Sequence, residues 1–589
     1  MSGQVRDGGT IRYPYEDAGL GIEQRVDDLM ARLELADKIG LLFHPYGFVS
    51  DPEQPDPYQR PPMAERLRDR RIRAFLCQGT PGSAREMAAW ANAVQRIAAE
   101  HPLRIPVTLG SDPRHSVTDN PLSSNVAGSA FSRWPEPIGI GATGSAETAR
   151  AFGDAVRREY AAGGLTYACH PQIDLTTEPR WARIAQCFGE DADLTCELVT
   201  AFIEGLNGPD PTRSVAAVPK HFPGGGPQRG GRDPHFRDGQ DQVYPGGRFD
   251  YHLQPFVAAL EAGATWMMPY YGKPVGTEFE EVGFAFNRDV IAGILRGRLG
   301  FDGVVVTDFG VVTGYHPEFF PAKAWGVEEL TAAERVARIL EAGCDQFGGE
   351  SGTELLAEAL ASGLVTENRV DESVRRVLRE KFRVGLFDER RYVDEDAAEV
   401  VLGSPELRAA GIRAQQQSLT LLRNDGLLPL ARGAKVYAEG IDATAFEGYA
   451  VVVADPADAD VAVVRKPAPT YADPARGFLG SLHKGRLDYP AEEVDRLNGL
   501  FARVPSVLDV YLERPAILTG LEPAVLIGSY GTDDRPFVQV LFGEAPAKGR
   551  LPFDLPSSMA AVEASRADVP FDTVDPLYRF GTGLSWPAI

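Results

Sequence analysis

Gly300-Phe301-Asp302-Gly303-Val304-Val305-Val306-Thr307-Asp308-Phe309-Gly310 is the stretch from which the fold can be read. The β-branched run 304–307 has the length and composition of a parallel strand buried on both faces. It stops at an aspartate, and a glycine follows two residues later. In a parallel α/β barrel, a carboxylate at the C-terminal end of a strand lies on the face that carries the chemistry. Taken alone, Asp308 reads equally well as a turn residue or as the cap of the next helix.

The surrounding chain repeats this pattern. Short apolar runs at 72–76, 106–109, 166–168, 215–218, 265–268 and 304–306 end in polar or glycine-containing loops. Between them, apolar residues recur at helical spacing over 84–100, 145–162, 193–206, 251–262, 287–299 and 331–342, after a first helix at 22–35. Strand–helix alternation over some 350 residues predicts α/β architecture with a (β/α)8-type barrel. A helix over 367–384, stopped by Gly385, closes this region. The expected division is a barrel over 1–389, a charged linker over 390–404 and a second α/β domain over 405–589. The second domain opens with a helix at 405–417. Its strand candidates are 435–437, 449–453, 461–464, 507–511, 524–527 and 538–541, with a helix at 490–504. The aromatic, glycine-rich tail 576–586 is expected to pack back onto folded structure.

Composition narrows the function. The 589 residues carry a formal charge of -23, which disfavours a nucleic-acid partner because phosphate binding needs a basic face. No apolar run reaches the roughly 18 residues of a membrane span. Five cysteines, Cys77, Cys169, Cys187, Cys196 and Cys344, have no zinc-site spacing and suit reduced, buried thiols. With a polar N-terminus, they lead to the expectation of a cytoplasmic protein. The oligomeric state stays open, with a homodimer one option.

Five polar clusters follow candidate barrel strands. They are Gly110-Ser111-Asp112-Pro113-Arg114-His115; Glu178-Pro179-Arg180-Trp181-Ala182-Arg183 with Phe188-Gly189-Glu190-Asp191; Lys220-His221-Phe222-Pro223-Gly224-Gly225-Gly226; Met268-Pro269-Tyr270-Tyr271; and Asp308. Each has an ordinary structural reading: Arg180 and Arg183, for example, could pair with Glu190 and Asp191. Together at one barrel mouth they describe a polyhydroxyl pocket, in which charged groups hold vicinal hydroxyls and an aromatic ring packs on a sugar face. No Walker-type, dinucleotide, HExxH or GxSxG motif competes. A carboxylate nucleophile in such a pocket describes a glycosidase.

The same residues resemble glycoside hydrolase family 3, over nearly the whole chain. Gly300 to Phe309 is similar to the family's nucleophile motif and Lys220-His221-Phe222 to its substrate-binding pair. Pro179-Arg180-Trp181-Ala182-Arg183 with Phe188-Gly189-Glu190-Asp191 is similar to its PRWGR…FGED segment. Segments 418–424, 550–553 and 578–585 match signatures of its second domain. The resemblance implies a barrel followed by an αβα sandwich with a mostly parallel sheet, and a pocket between them. It implies a retaining, exo-acting β-glycosidase, most simply a β-glucosidase, needing no metal or organic cofactor and acting on a small carbohydrate. Asp308 would be the nucleophile; Asp112, Arg183, Lys220 and His221 would bind the sugar, with Tyr270 near the nucleophile.

The acid/base is expected at Asp473, in Tyr471-Ala472-Asp473-Pro474, where the glucosidase-type members carry a glutamate. The alternative is the pair Asp233 and His235 in Asp233-Pro234-His235, which echoes the Asp-Ser-His of hexosaminidase-type members, although Gly225 stands where those have histidine. A third reading is a catalytically weak carbohydrate-binding protein on the same scaffold. Glucose, xylose and N-acetylglucosamine are not distinguished at this level.

Overall fold

The computed structural model describes residues 13–118, 130–314, 321–472 and 480–586. Eight parallel staves close a barrel. Five of its strands pair in the order Tyr46–Phe48, Ala74–Gln78, Thr108–Ser111, Tyr167–Ala168 and Ala216–Ala217. The chain continues from the last of these into Lys220–Phe222, which pairs with Trp266–Pro269, and that strand pairs with Val304–Val305. Val306 bridges to Gln346, and Phe347–Gly348 pairs with Phe43–His44, which returns to the first stave. Val304, Val305 and Val306 are fully buried, as a strand covered on both faces requires.

The helices between staves start where short polar side chains cap them. Ser83, Ser145, Asp191, Thr331 and Thr366 each accept a hydrogen bond from the amide three residues on. The first helix is shorter than the expected 22–35. The helix Ile22–Met30 ends, and Asp37 accepts from the Glu34 amide to start a fresh one at Leu35–Leu41.

The second domain is a six-stranded sheet ordered Thr420–Asn424, Val525–Ser529, Ser506–Tyr511, Val461–Pro467, Lys435–Glu439 and Val451–Val453. Only the first pair is antiparallel. Alternate residues face two layers. Val461, Val463, Val507, Val525 and Ile527 pack with Phe537, Val538 and Leu541, whereas Ala462, Val464, Leu508 and Leu526 pack with Leu497 and Leu500. The expected strand at 538–541 lies inside a helix, Asp534–Leu541. Its valines suggest a strand by composition, but Phe537, Val538, Val540 and Leu541 fall on one helical face.

The tail returns to the sheet, with Leu584 bridging Leu421 and Trp586 bridging Ala547. The segment before it is tied to the barrel by Glu190, which accepts from the amides of Asp554 (2.6 Å) and Phe571 (2.9 Å). Four of the five cysteines are buried, Cys196 is half-buried, and none is paired.

Candidate active site

Asp308 ends the Val304–Val305 stave and is 8% exposed. Its Oδ1 accepts from the Phe309 amide at 2.8 Å. That amide also donates to the Tyr271 hydroxyl at 3.0 Å, and the hydroxyl donates to the Phe309 carbonyl at 2.8 Å. The carboxylate is therefore held by one oxygen. Its buried Oδ2 has no hydrogen-bond partner among the described residues and lies 3.7 Å from Nε2 of His221, too far for a hydrogen bond. Leaving a buried anionic oxygen unpaired is costly, and such exceptions mark sites that complete themselves with a ligand.

His221 is fixed from behind. Asp174 accepts from its Nδ1 at 3.0 Å through Oδ2, and from its backbone amide at 3.1 Å and the Gly225 amide through Oδ1. An ionised carboxylate only accepts, so Nδ1 carries the proton and Nε2 presents a lone pair. Burial, with Arg183, Lys220 and His235 nearby, pushes the imidazole well below its usual range and keeps it neutral. Burial lifts Asp174 to about 6, against the hydrogen bonds from Gly225 and His221.

Two cations and a carboxylate border this pair. The Lys220 ammonium donates to Asp112 Oδ1 at 2.8 Å and to Cys169 Sγ at 3.5 Å. Burial opposes the ammonium charge, and Asp112 more than restores it, leaving Lys220 above its ordinary value. Arg183 donates to Gln186 (3.0 Å), the Tyr270 hydroxyl (3.3 Å) and Gln172 (3.1 Å). Both of its terminal nitrogens carry a second proton, so the guanidinium can bind a further oxygen. Lys323, 1% exposed, sits with its ammonium 5.6 Å over the Tyr271 ring. Burial pushes it down to about 8, although Asp308 and Glu350 favour its charge.

Tyr270 is a correction. Expected at the sugar, it is instead fully buried, with its ring 4.4 Å from that of His221 and its hydroxyl donating to Asp233 at 2.8 Å. Its place is behind His221 and Arg183, and it buttresses both. Asp233 is likewise buried: Oδ2 accepts from Trp181 and Tyr270, and Oδ1 accepts from the backbone and ring of His235 (3.0 and 2.5 Å). His235 is partly exposed and packs edge-on against Tyr271. A Cβ at Gly225 would lie 2.8 Å from the Tyr270 ring and 3.0 Å from Asp174 Oδ1, so no histidine fits there.

The structure thus gathers Asp308, His221, Lys220, Asp112 and Arg183 at one mouth. Asp473 lies outside the described residues. Other residues of the sequence clusters are structural. Arg180 forks onto Glu178, Asp191 caps the helix Ala192–Asn207, and Arg114 binds Ser111 and two backbone carbonyls. Asp174 and Lys323 are not singled out by the sequence. Asp174 has one signal there, a lone carboxylate between the apolar residues Ile173 and Leu175.

The profile described as "Glycosyl hydrolase family 3 N terminal domain" matches residues 60–380. A probable beta-glucosidase C from Aspergillus flavus is 44% identical over 97% of this chain and 92% of its own length. The beta-glucosidase C of Emericella nidulans is 41% identical over 97% and 94%. A periplasmic beta-glucosidase/beta-xylosidase from Dickeya chrysanthemi is 38% identical over 97% and 91%. In structure, the exo-1,3/1,4-beta-glucanase of a Pseudoalteromonas species superposes with a TM-score of 0.78 at 20% identity, over 96% of this chain and 95% of its own. A Listeria innocua beta-glucosidase gives 0.76 at 22%, over 96% and 83%.

Proposed function

The chain belongs to glycosyl hydrolase family 3 and is a glycoside hydrolase, and from that premise we propose that it is a retaining, exo-acting β-glucosidase with Asp308 as its nucleophile. The observation that carries this is the Oδ2 of Asp308, without a hydrogen-bond partner among the described residues and bordered by the neutral acceptor of His221 and the donors of Lys220 and Arg183.

In this reading the sugar's hydroxyls pair with Asp112, Lys220, Arg183 and His221 Nε2. Lys220 and Arg183 offer protons; Nε2 and Asp112 accept them. The Asp308 Oδ2 lone pair forms a bond to the anomeric carbon as the bond to the leaving oxygen breaks. The glycosyl-enzyme is then hydrolysed by water. The Phe309 amide holds one oxygen of the carboxylate, and the Tyr271 hydroxyl, bonded to the amide and carbonyl of Phe309, fixes that backbone so that the other oxygen stays aimed. Asp473 protonates the leaving oxygen and later takes the proton of the attacking water. A retaining mechanism wants the two carboxyls about 5–5.5 Å apart, and aspartate is one methylene shorter than the glutamate of the glucosidase-type members. The Asp308→Asn variant is expected to fold and to lose turnover of aryl β-glucosides; wild-type rates would refute the nucleophile. Azide rescue of Asp473→Ala, with formation of a β-glycosyl azide, tests the acid/base.

A second reading rests on the His235–Asp233 pair beside Tyr271. A histidine backed by a carboxylate can serve as the acid of a hexosaminidase-type enzyme. Turnover of an aryl N-acetyl-β-glucosaminide that is lost in His235→Ala and kept in Asp473→Ala would favour it. We also propose a cytoplasmic location, supported by the unpaired thiols, and cell fractionation tests it.

A further inference from the structure

We propose that Lys323 is a positioning residue for the second half of the reaction: its buried ammonium balances the charge that returns to Asp308 when the glycosyl-enzyme is hydrolysed. This rests on the reading that Asp308 is the nucleophile.

Lys323 lies in the loop after the stave that ends in Asp308, and its backbone amide donates to the Gly310 carbonyl at 3.1 Å. Its ammonium sits 5.6 Å from the centre of the Tyr271 ring. The hydroxyl of that ring is bonded to the amide and the carbonyl of Phe309, and the same amide holds Oδ1 of Asp308. The ammonium is therefore one ring away from the nucleophile, at a buried position where water screens it little.

Two carboxylates share this cation. Asp308 favours its charge most, and Glu350 follows. Glu350 is 2% exposed and accepts from the amides of Val312 and Thr313, both at 3.0 Å, which favours its ionised form. The other cations of the pocket are matched elsewhere. Lys220 pairs with Asp112 at 2.8 Å, and Asp233 favours the charge of Arg183 ahead of Asp308.

In the free enzyme, Asp308, Glu350 and Lys323 carry one net negative charge between them. In the glycosyl-enzyme Asp308 is an ester and the three are neutral. Hydrolysis breaks the bond between the anomeric carbon and Oδ2, and Oδ2 keeps the electron pair. A second buried carboxylate thus appears beside Glu350. Without a cation the two would repel, and the ester would resist cleavage. Lys323 offsets that charge as it develops. Its help is one-sided. The same ammonium steadies the Asp308 anion before attack, so it favours hydrolysis of the intermediate and not its formation.

The test compares Lys323→Met and Lys323→Arg with the wild type on dinitrophenyl β-glucoside, whose leaving group departs without a proton. The assay is run at pH 7, where a lysine pushed down to about 8 is still mostly charged. Removing one donor aimed at a developing oxyanion costs about 10²–10³-fold, and a charge acting across a ring should cost less, about 10-fold or more in kcat for Lys323→Met. Its kcat/KM should stay within about threefold, so KM falls with kcat, and intact-protein mass spectrometry should show the hexosyl-enzyme accumulating. Lys323→Arg, which keeps the charge, should hold kcat within about threefold. Equal losses of kcat and kcat/KM, an unchanged kcat, or a loss in Lys323→Arg as large as in Lys323→Met overturns the proposal. If Lys323→Met does not fold, Lys323→Gln decides by the same split. Labelling of the wild type with an activated 2-deoxy-2-fluoro-β-glucoside separates the two levels. No adduct on Asp308 overturns the nucleophile and this proposal with it; an adduct on Asp308 with kcat unchanged in Lys323→Met overturns this proposal alone.

Discussion

Asp174→Asn should disable the site without harming the fold. The Oδ1 of Asp174 receives two backbone amides, from His221 and Gly225, so an asparagine there must turn its carbonyl toward them. Its NH2 then faces Nδ1 of His221, where the native carboxylate accepted a proton. The ring must take the other tautomer, with the proton on Nε2, 3.7 Å from Asp308 Oδ2. That proton caps the nucleophile by charge–dipole attraction and removes the acceptor offered to a sugar hydroxyl. Losing one buried hydrogen bond and leaving its partner unpaired costs about 1–3 kcal/mol, or about 5- to 150-fold in kcat/KM. The same wrong-tautomer change behind a catalytic histidine reaches about 10⁴-fold in serine proteases, which bounds the effect. Stability should move the other way. A carboxyl raised by burial from 3.8 to about 6 binds more protons folded than unfolded, so stability declines as pH rises from the lower value through the higher. At neutral pH the ion costs about 3 kcal/mol, which asparagine relieves. The assay is kcat/KM for an aryl β-glucoside against pH, with thermal melting and imidazole nitrogen spectra. In the wild type kcat/KM should fall below about pH 6, and that limb should vanish in the variant. A variant within about threefold of wild type, or one with an unchanged imidazole tautomer, would refute the reasoning.

Gly225→Ala should lower activity by pushing the Tyr270 ring or Asp174, because its Cβ would meet both at 3.0 Å or less; unchanged kinetics and melting temperature would count against the packing described. Glu190→Ala should cost about 2–5 kcal/mol by orphaning the amides of Asp554 and Phe571, read from urea midpoints, with Glu190→Gln losing less. Burial lifts Glu190 from 4.5 to about 8, so the folded state holds its proton to higher pH. The wild-type urea midpoint should therefore fall as pH rises through that window to about 8, and that fall should be absent in Glu190→Gln.

The parts of the fold legible in the sequence are those in which local pattern and final packing agree. The run 304–307 is β-branched because both its faces are covered, and Ser83, Ser145 and Thr366 mark helix starts because each caps an amide. The closing pair, Phe43–His44 with Phe347–Gly348, is not legible: two residues give no period, and the partners lie far apart in the chain. Asp308, Lys220, His221, Asp112 and Arg183 are legible as strand-end polar groups. Asp174 is not, because its role is set by amides 47 and 51 residues away. Tyr270 misleads because an aromatic after a strand suggests a platform, whereas its hydroxyl is needed between Arg183 and Asp233.

The central claim is that one oxygen of Asp308 reaches the anomeric carbon of a bound sugar. Incubation with an activated 2-deoxy-2-fluoro-β-glucoside, followed by proteolysis and mass spectrometry, tests this most directly. The expected result is a single adduct of one fluoroglucosyl group on the peptide containing Asp308, absent in Asp308→Asn. An adduct on another carboxylate, or inactivation that persists in Asp308→Asn, would contradict it.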